Sequence, residues 1–230
     1  MSNSAQLSKT ISKYKIINYR SMSQEKVIRE ATKFVLQELK KKYPNNRFRH
    51  RNKITKLEIN SVLASINSDY GKYISNPNSF IKPDGGFIEM LVNGRWKVIL
   101  VSEAKKQGTN DIRVKKGFPS QSKGNAVERM FKNINEIRNY LKPEKIFPLV
   151  LFLCGCDFKK GISIRDRLTS ANCHCYLNKL EIYKKEERIG ENISLESVCS
   201  LFVREKEWSI IEVKNRLFKA AKISVEHYLK

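Results

Sequence analysis

Residues 81 to 105 read IKPDGGFIEMLVNGRWKVILVSEAK, and the pairing of this stretch with itself decides the fold. Asn93-Gly94 is a strong two-residue hairpin signal, because a type I′ turn needs two residues that tolerate positive φ. The flanking runs GFIEMLV and RWKVILV are rich in β-branched and aromatic residues, so a two-residue loop pairs Val92 with Arg95, Met90 with Lys97, and so on outward. Carried to the open end without a bulge, this register sets Asp84 directly opposite Glu103, with Cβ atoms roughly 5 Å apart. Alternation along the strand puts Glu103 and Lys105 on one face and Ala104 on the other. A β-bulge, for which Gly85-Gly86 leaves room, would turn part of one strand over. Two adjacent carboxylates repel unless a proton or cation lies between them. A hard divalent cation suits such oxygens, and Mg²⁺ takes one or two carboxylates together with waters and phosphate oxygens. The plainer reading of the same residues is a turn before two glycines and a surface charge pair at a strand end.

The rest of the composition points toward a polyanionic partner. The 230 residues carry 45 Lys+Arg against 23 Asp+Glu, a formal charge of +22, and nucleic acid is the natural complement of such a field. An anionic membrane surface would compete for it, but the sequence holds no apolar run long enough to span a bilayer and no signal peptide. The expected location is therefore the cytoplasm. Cys154, Cys156, Cys173, Cys175 and Cys199 are an odd number without a secretion signal and read as reduced thiols. The CGC and CHC pairs invite a zinc reading, but structural zinc usually leaves two to four residues between paired cysteines.

Residues 1–20 are polar and basic and read as a flexible N-terminal arm, leaving 21–230 as one domain. Ser21 and Gln24 resemble a capping box for a helix through Lys42, with Val27, Ala31, Phe34, Val35 and Leu39 on its apolar face. A shorter helix follows the basic segment RFRHRNKITKLEIN, and another is predicted from Asn125 to about Leu141, stopping before Pro143. FPLVLFL at 147–153 reads as a buried central strand. Further strands are expected at 175–183 and over SLFV, and a last helix over 211–228. The expected class is α/β, a central mixed β-sheet flanked by helices on both faces.

KPDGG and EAK, with eighteen residues between Asp84 and Glu103, resemble the PD-(D/E)xK nuclease motif. The downstream GNAVERMFKNINEI resembles the EcoRI family of type II restriction endonucleases, as do FRHRNKITKLEIN, FPLVLFL, RDRLTSAN and REKEW in the same order. A bare PD…ExK occurs in many proteins by chance, whereas its conjunction with GNAxER is far more specific. The resemblance implies a restriction-endonuclease-like core in which Asp84 and Glu103 hold Mg²⁺ and Lys105 sits beside the attacking water. It implies recognition of double-stranded DNA through Lys123, Gly124, Asn125, Ala126 and Arg129, with Asn125 and Arg129 reading an AATT core. A carboxamide can contact adenine N6 and N7 together, and Ala126 is small enough for close approach. Glu128 would pair with the partner's arginine across a homodimer, linking the two half-sites with Arg129. Cleavage leaving 5′-phosphate ends with 5′ overhangs, and a methyltransferase protecting host DNA, are implied as well.

The sequence also departs from the family. The connection between LFLCGCDF and RDRLTSAN is short, Arg167 matches one outer-base arginine, and Ile164 stands where another is expected, so a relaxed or altered outer base pair follows. Asn52 replaces an acid and Lys106 a histidine. The alternative function is a basic, sequence-specific DNA-binding protein that uses the same fold without cutting, since charge and salt-dependent affinity would be the same for both.

Overall fold

The computed structural model describes residues 3–230 apart from 70–77, 107–114, 116, 118–123, 159–160, 171–174, 190–191 and 198. For 3–22, 124–126, 157, 161–162, 170, 184–189 and 192–197 only the backbone is described. Most of the loop between Lys106 and Gly124, Lys123 included, and Cys173 thus lie outside the described residues.

The hairpin organises the molecule. Strands β4 (Gly86–Val92) and β5 (Arg95–Lys106) are joined by Asn93-Gly94, with φ of 48° and 76°, the double positive φ of the expected turn. On one side β4 pairs antiparallel with β1 (Phe48–Arg51). On the other, β5 pairs parallel with β6 (Leu149–Cys154), followed by β10 (Cys199–Arg204) and β7 (Cys175–Leu177), giving the order β1-β4-β5-β6-β10-β7. β6 is buried along its whole length, as a strand with helices on both faces must be. Two short pairs stand apart, β2 (Ile54–Thr55) with β3 (Phe80–Ile81) and β8 (Lys184–Ile189) with β9 (Asn192–Ser197).

Helices cover both faces. Helix α1 (Asn3–Lys42) lays Ile28, Ala31, Val35 and Leu39 on one face beside α5 (Ile210–Tyr228), which contributes Val213, Leu217, Ala221 and Val225. The other face is covered by α2 (Lys56–Ile66), α3 (Gly124–Tyr140) and α4 (Gly161–Ser170), through Ile59, then Met130, Ile134 and Ile137, then Ile164 and Leu168. Such positions repeat every three or four residues because one stripe of an α-helix faces the sheet. Each fully buried aliphatic side chain contributes about 1.5 to 3 kcal/mol of transfer free energy.

Three expectations change. The first helix begins at Asn3 and runs through Ser21, so no cap forms there. Gln24 is buried instead, accepting from the Trp208 N–H at 3.1 Å and donating to its carbonyl at 3.3 Å. Phe34 is exposed and does not join the apolar face. The stretch expected as one strand at 175–183 is β7 followed by an isolated bridge between Tyr183 and Ile146.

The hairpin register is a further correction, the fourth. Val92–Arg95 through Glu89–Val98 pair as expected, but the ladder then slips, and Ile88, Phe87 and Gly86 face Leu100, Val101 and Ser102. Ile99 is the extra residue of a β-bulge, so Ile99 and Leu100 both pack toward α1 and α5, while Val98 and Val101 both pack toward α3. Asp84 is therefore not directly opposite Glu103. The bulge has a larger consequence: strict alternation from Val98 would send Glu103 toward α1, and one inserted residue turns Glu103 and Lys105 to the α3 face.

Candidate active site

Asp84 sits in a tight turn closed by the Gly86 N–H donating to the Pro83 carbonyl at 3.0 Å. The turn is pressed against the sheet. A Cβ on Gly85 would lie 1.9 Å from Ser102 Oγ and 2.6 Å from Thr32 Oγ1, so no larger residue fits without moving strand β5 or helix α1. His50 Nε2 lies 2.8 Å from the Gly85 carbonyl oxygen, and the carbonyl can only accept, so this ring nitrogen donates. The Gly85 N–H bonds the Ser102 carbonyl at 3.0 Å. Sequence reading gives His50 no ligand role, and it has this structural one.

From that turn the Asp84 N–H donates to Glu103 Oε2 at 2.8 Å, and Asp84 Oδ2 accepts from the Ala104 N–H at 3.0 Å. Glu103 is thus held by the backbone of the turn, and Asp84 by the backbone of β5. Lys105 Nζ donates to Glu103 Oε1 and lies 3.8 Å from Asp84 Oδ2. The three residues singled out in the sequence converge, although the register that suggested it was shifted by one. Ala104 points the other way into the α1 face, as alternation requires.

The electrostatics are unbalanced. Glu103 is 2 % exposed, and burial, with Asp84's charge adding to it, raises its carboxyl above the usual range against the pull of Lys105. Burial works against the Lys105 ammonium, but Glu103 and Asp84 together raise its affinity for a proton. Two carboxylates share one ammonium, leaving a net negative charge beneath a strongly basic chain. A third acid feels this field. Glu25 on α1 has its carboxyl raised by burial and then by the charge of Asp84, while Lys105 lowers it. Sequence reading missed Glu25, which lies one helical turn before Ile28, the residue whose Cγ2 stands 2.9 Å from a Cβ on Gly85.

The donor set fits Mg²⁺ on its chemistry. Two hard carboxylates, one of them Asp84 with its side chain 16 % exposed, leave the remaining positions of an octahedral ion to waters and phosphate oxygens. Among the described residues no group of three or more His, Cys, Asp or Glu side chains comes together as a metal cage. Among the described cysteines, Cys154 faces α1, where burial raises its thiol to about 11, whereas Cys175 and Cys199 lie together on the opposite face with Sγ atoms 3.0 Å apart.

Helix α3 carries GNAVER over the same face. Gly124, Asn125 and Ala126 form its first turn, their side chains outside the described residues, and Glu128 and Arg129 are exposed. The helix is anchored by Met130, Ile134 and Ile137, by Lys56 Nζ at 2.6 Å from Glu136 Oε1, and by the Asn133 amide donating to Glu103 Oε1 at 2.9 Å. On α4, Arg165 and Arg167 are exposed and Ile164 is 6 % exposed in the core. Ile164 therefore faces the sheet and offers no contact to a base. Lys106 pairs with Glu207.

A second buried acid, Glu89, was also missed. It is 1 % exposed, and Arg49 Nε lies 2.5 Å from its Oε2, with Arg51 Nη1 3.8 Å from Oε1. Arg51 also pairs with Glu58, which closes the capping box of α2 with Thr55. Arg49 stacks over Trp96 at 4.2 Å. Only the alternation of the hairpin could have flagged Glu89, since an acid at an inward position needs a buried partner.

The sequence profile described as restriction endonuclease EcoRI matches residues 9–230. The chain is 43 % identical to the type II restriction enzyme EcoRI of Escherichia coli over 145 residues, 59 % of this chain and 52 % of that enzyme. It is 31 % identical to the type II restriction enzyme RsrI of Cereibacter sphaeroides over 227 residues, 86 % of this chain and 82 % of that enzyme. The alignment thus spans about half the length of the first relative and most of the second. With a mixed sheet flanked by helices and an Asp84–Glu103–Lys105 cluster at the end of its hairpin, the chain belongs to the EcoRI family of type II restriction endonucleases.

Proposed function

We propose that this protein is a Mg²⁺-dependent endonuclease that cuts both strands of a short palindrome with an AATT core, leaving 5′-phosphate ends with 5′ overhangs. The observation that carries this reading is the unbalanced triad: two carboxylates and one ammonium, partly open to solvent, under the helix that bears GNAVER.

Asp84 and Glu103 would hold the ion, which when bound polarises the scissile phosphate and favours deprotonation of its water. Lys105 places positive charge where the pentavalent phosphate becomes most negative. The Ala104 and Asp84 N–H groups fix the carboxylates before substrate arrives, so little reorganisation is needed. Asn125 and Arg129 read the inner bases, Lys123, Gly124 and Ala126 follow the same strand, and Arg167 reaches an outer pair. The buried Ile164 supports a relaxed or altered outer base pair. A palindrome presents one surface twice, which favours a homodimer with Glu128 and Arg129 paired across it. Residues 1–20 serve as a basic arm, and a methyltransferase of the same specificity protects host DNA in the cytoplasm. Among the described residues no helix is long and apolar enough to cross a membrane.

Digesting plasmid DNA with purified protein and Mg²⁺, then sequencing the ends, tests this. Discrete fragments with a common 5′ overhang around AATT support it. Tight, salt-sensitive binding without cleavage would instead establish the non-cutting DNA-binding protein.

A further inference from the structure

Glu103 accepts three hydrogen bonds, and they come from three different parts of the chain. Oε2 takes the Asp84 N–H, and Oε1 takes both Lys105 Nζ and the Asn133 amide, the last at 2.9 Å. The first two donors belong to the motif itself. Asn133 does not: it lies 30 residues away on α3, two helical turns beyond Asn125 on the same rigid element.

The geometry points to Asn133 as a positioning residue that fixes the Glu103 carboxylate to helix α3, so that the seating of α3 on DNA and the orientation of Glu103 toward ion and phosphate change together. Glu103 is almost wholly buried, so its carboxylate has few ways to settle, and its donors decide which. Lys105 and the Asp84 N–H belong to the β4–β5 hairpin and stay with it. Asn133 reports on α3, whose inner residues Met130 and Ile134 pack in the core and whose Glu136 is tied to Lys56. A shift of α3 by a fraction of an ångström would lengthen one hydrogen bond to a charged group while leaving the other two unchanged. Such a bond is strong and steeply dependent on distance. This inference rests on the endonuclease reading.

The test compares wild type with Asn133→Ala and Asn133→Ser in single-turnover cleavage of a cognate duplex. It also measures duplex affinity in Ca²⁺ and the midpoint of a Ca²⁺ titration of the protein–DNA complex by calorimetry. Expected in both variants is a cleavage rate at saturating DNA lowered roughly tenfold to a hundredfold, the range that a hydrogen bond to a charged group spans. The cation midpoint shifts and duplex affinity stays near wild type. Discrimination between the cognate site and a one-base variant should shrink in rate but not in binding. Weaker DNA binding with an unchanged saturated rate and midpoint would make Asn133 a DNA contact and overturn the inference. Wild-type behaviour in every measurement would overturn it too. A wild-type protein that never cleaves would defeat the endonuclease reading instead, and the Ca²⁺ titration would then decide the role of Asn133 by itself. Thermal melts of both variants separate these effects from misfolding.

Discussion

Glu89 and Glu103 are buried acids on neighbouring strands of one hairpin, both facing the side covered by α2 and α3, and they have opposite surroundings. Glu89 meets Arg49 and Arg51, and with Glu58 the cluster holds two acids and two guanidiniums. Glu103 meets Asp84 and one lysine, leaving one negative charge in excess. A balanced buried cluster is a clamp, because each charge already has the partner that repays its desolvation. An unbalanced one at a half-open turn is a site, because an added cation completes it. Burial alone does not separate the two acids. Their charge balance does.

The largest effect should come from the unbalanced side. Asp84→Ala is expected to abolish cleavage, as is chelation of divalent cations by EDTA, while specific binding to an AATT duplex survives; gel-shift and plasmid assays on one preparation would show it. Continued cutting by this variant would remove Asp84 from the reaction.

Next comes stability, where the two acids should part company. Glu89→Ala removes the buried acid that Arg49 pairs with and that Arg51 approaches, and should cost about 3 kcal/mol, the lower end of the range for a broken buried pair because Arg49 is partly exposed and Arg51 keeps Glu58. Glu103→Gln removes repulsion with Asp84 along with one set of hydrogen bonds, and should change stability by about 1 kcal/mol or less in either direction. Urea titrations at neutral pH would measure both. Equal losses would mean that both acids are structural clamps.

Recognition should respond more modestly and without loss of fold. Asn125→Ala or Arg129→Ala is expected to cost about 1 to 3 kcal/mol of discrimination against a mismatched AATT site, read from cleavage of paired oligonucleotides. Selectivity against mismatched sites unchanged from wild type in these variants would dismiss both as readers.

The smallest effect concerns Glu58, at the outer end of the clamp. Burial raises its carboxyl, but hydrogen bonds from Arg51 and Thr55 more than offset this and hold it below the usual value. The depressed group contributes stability above the unfolded carboxylate pKa of about 4.3, and the contribution fades as pH falls through the lower folded value. Glu58→Gln should therefore cost about 1 kcal/mol at pH 7, a figure discounted for its partly exposed side chain. The difference from wild type should shrink in strongly acidic solution. A constant difference across that window would assign the effect to packing instead.

Much of this was legible in the sequence. The Asn93-Gly94 turn, a buried strand expected at 147–153 and the helix from Asn125 follow from turn chemistry and side-chain pattern, which act over a few residues, whereas the convergence of Asp84, Glu103 and Lys105 was expected on a register that the bulge at Ile99 replaces. The family resemblance carried the function, since the same three residues alone also describe a turn and a surface pair. Gln24 misled, because a capping box and a buried clamp on Trp208 use the same amide, and its backbone partner lies 184 residues away. Glu25 and Asn133 left no trace, because their partners belong to other elements, and Glu89 could be flagged only by the alternation of the hairpin.

The sequence by itself determined which residues turn, alternate and carry charge, because those properties depend on neighbours within one or two turns of chain. The tertiary structure alone decided that Ile99 bulges out of register, and with it the face on which Glu103 emerges. Two cores with different side chains pack on the two sides of β5, and the strand yields one residue so that both can fill.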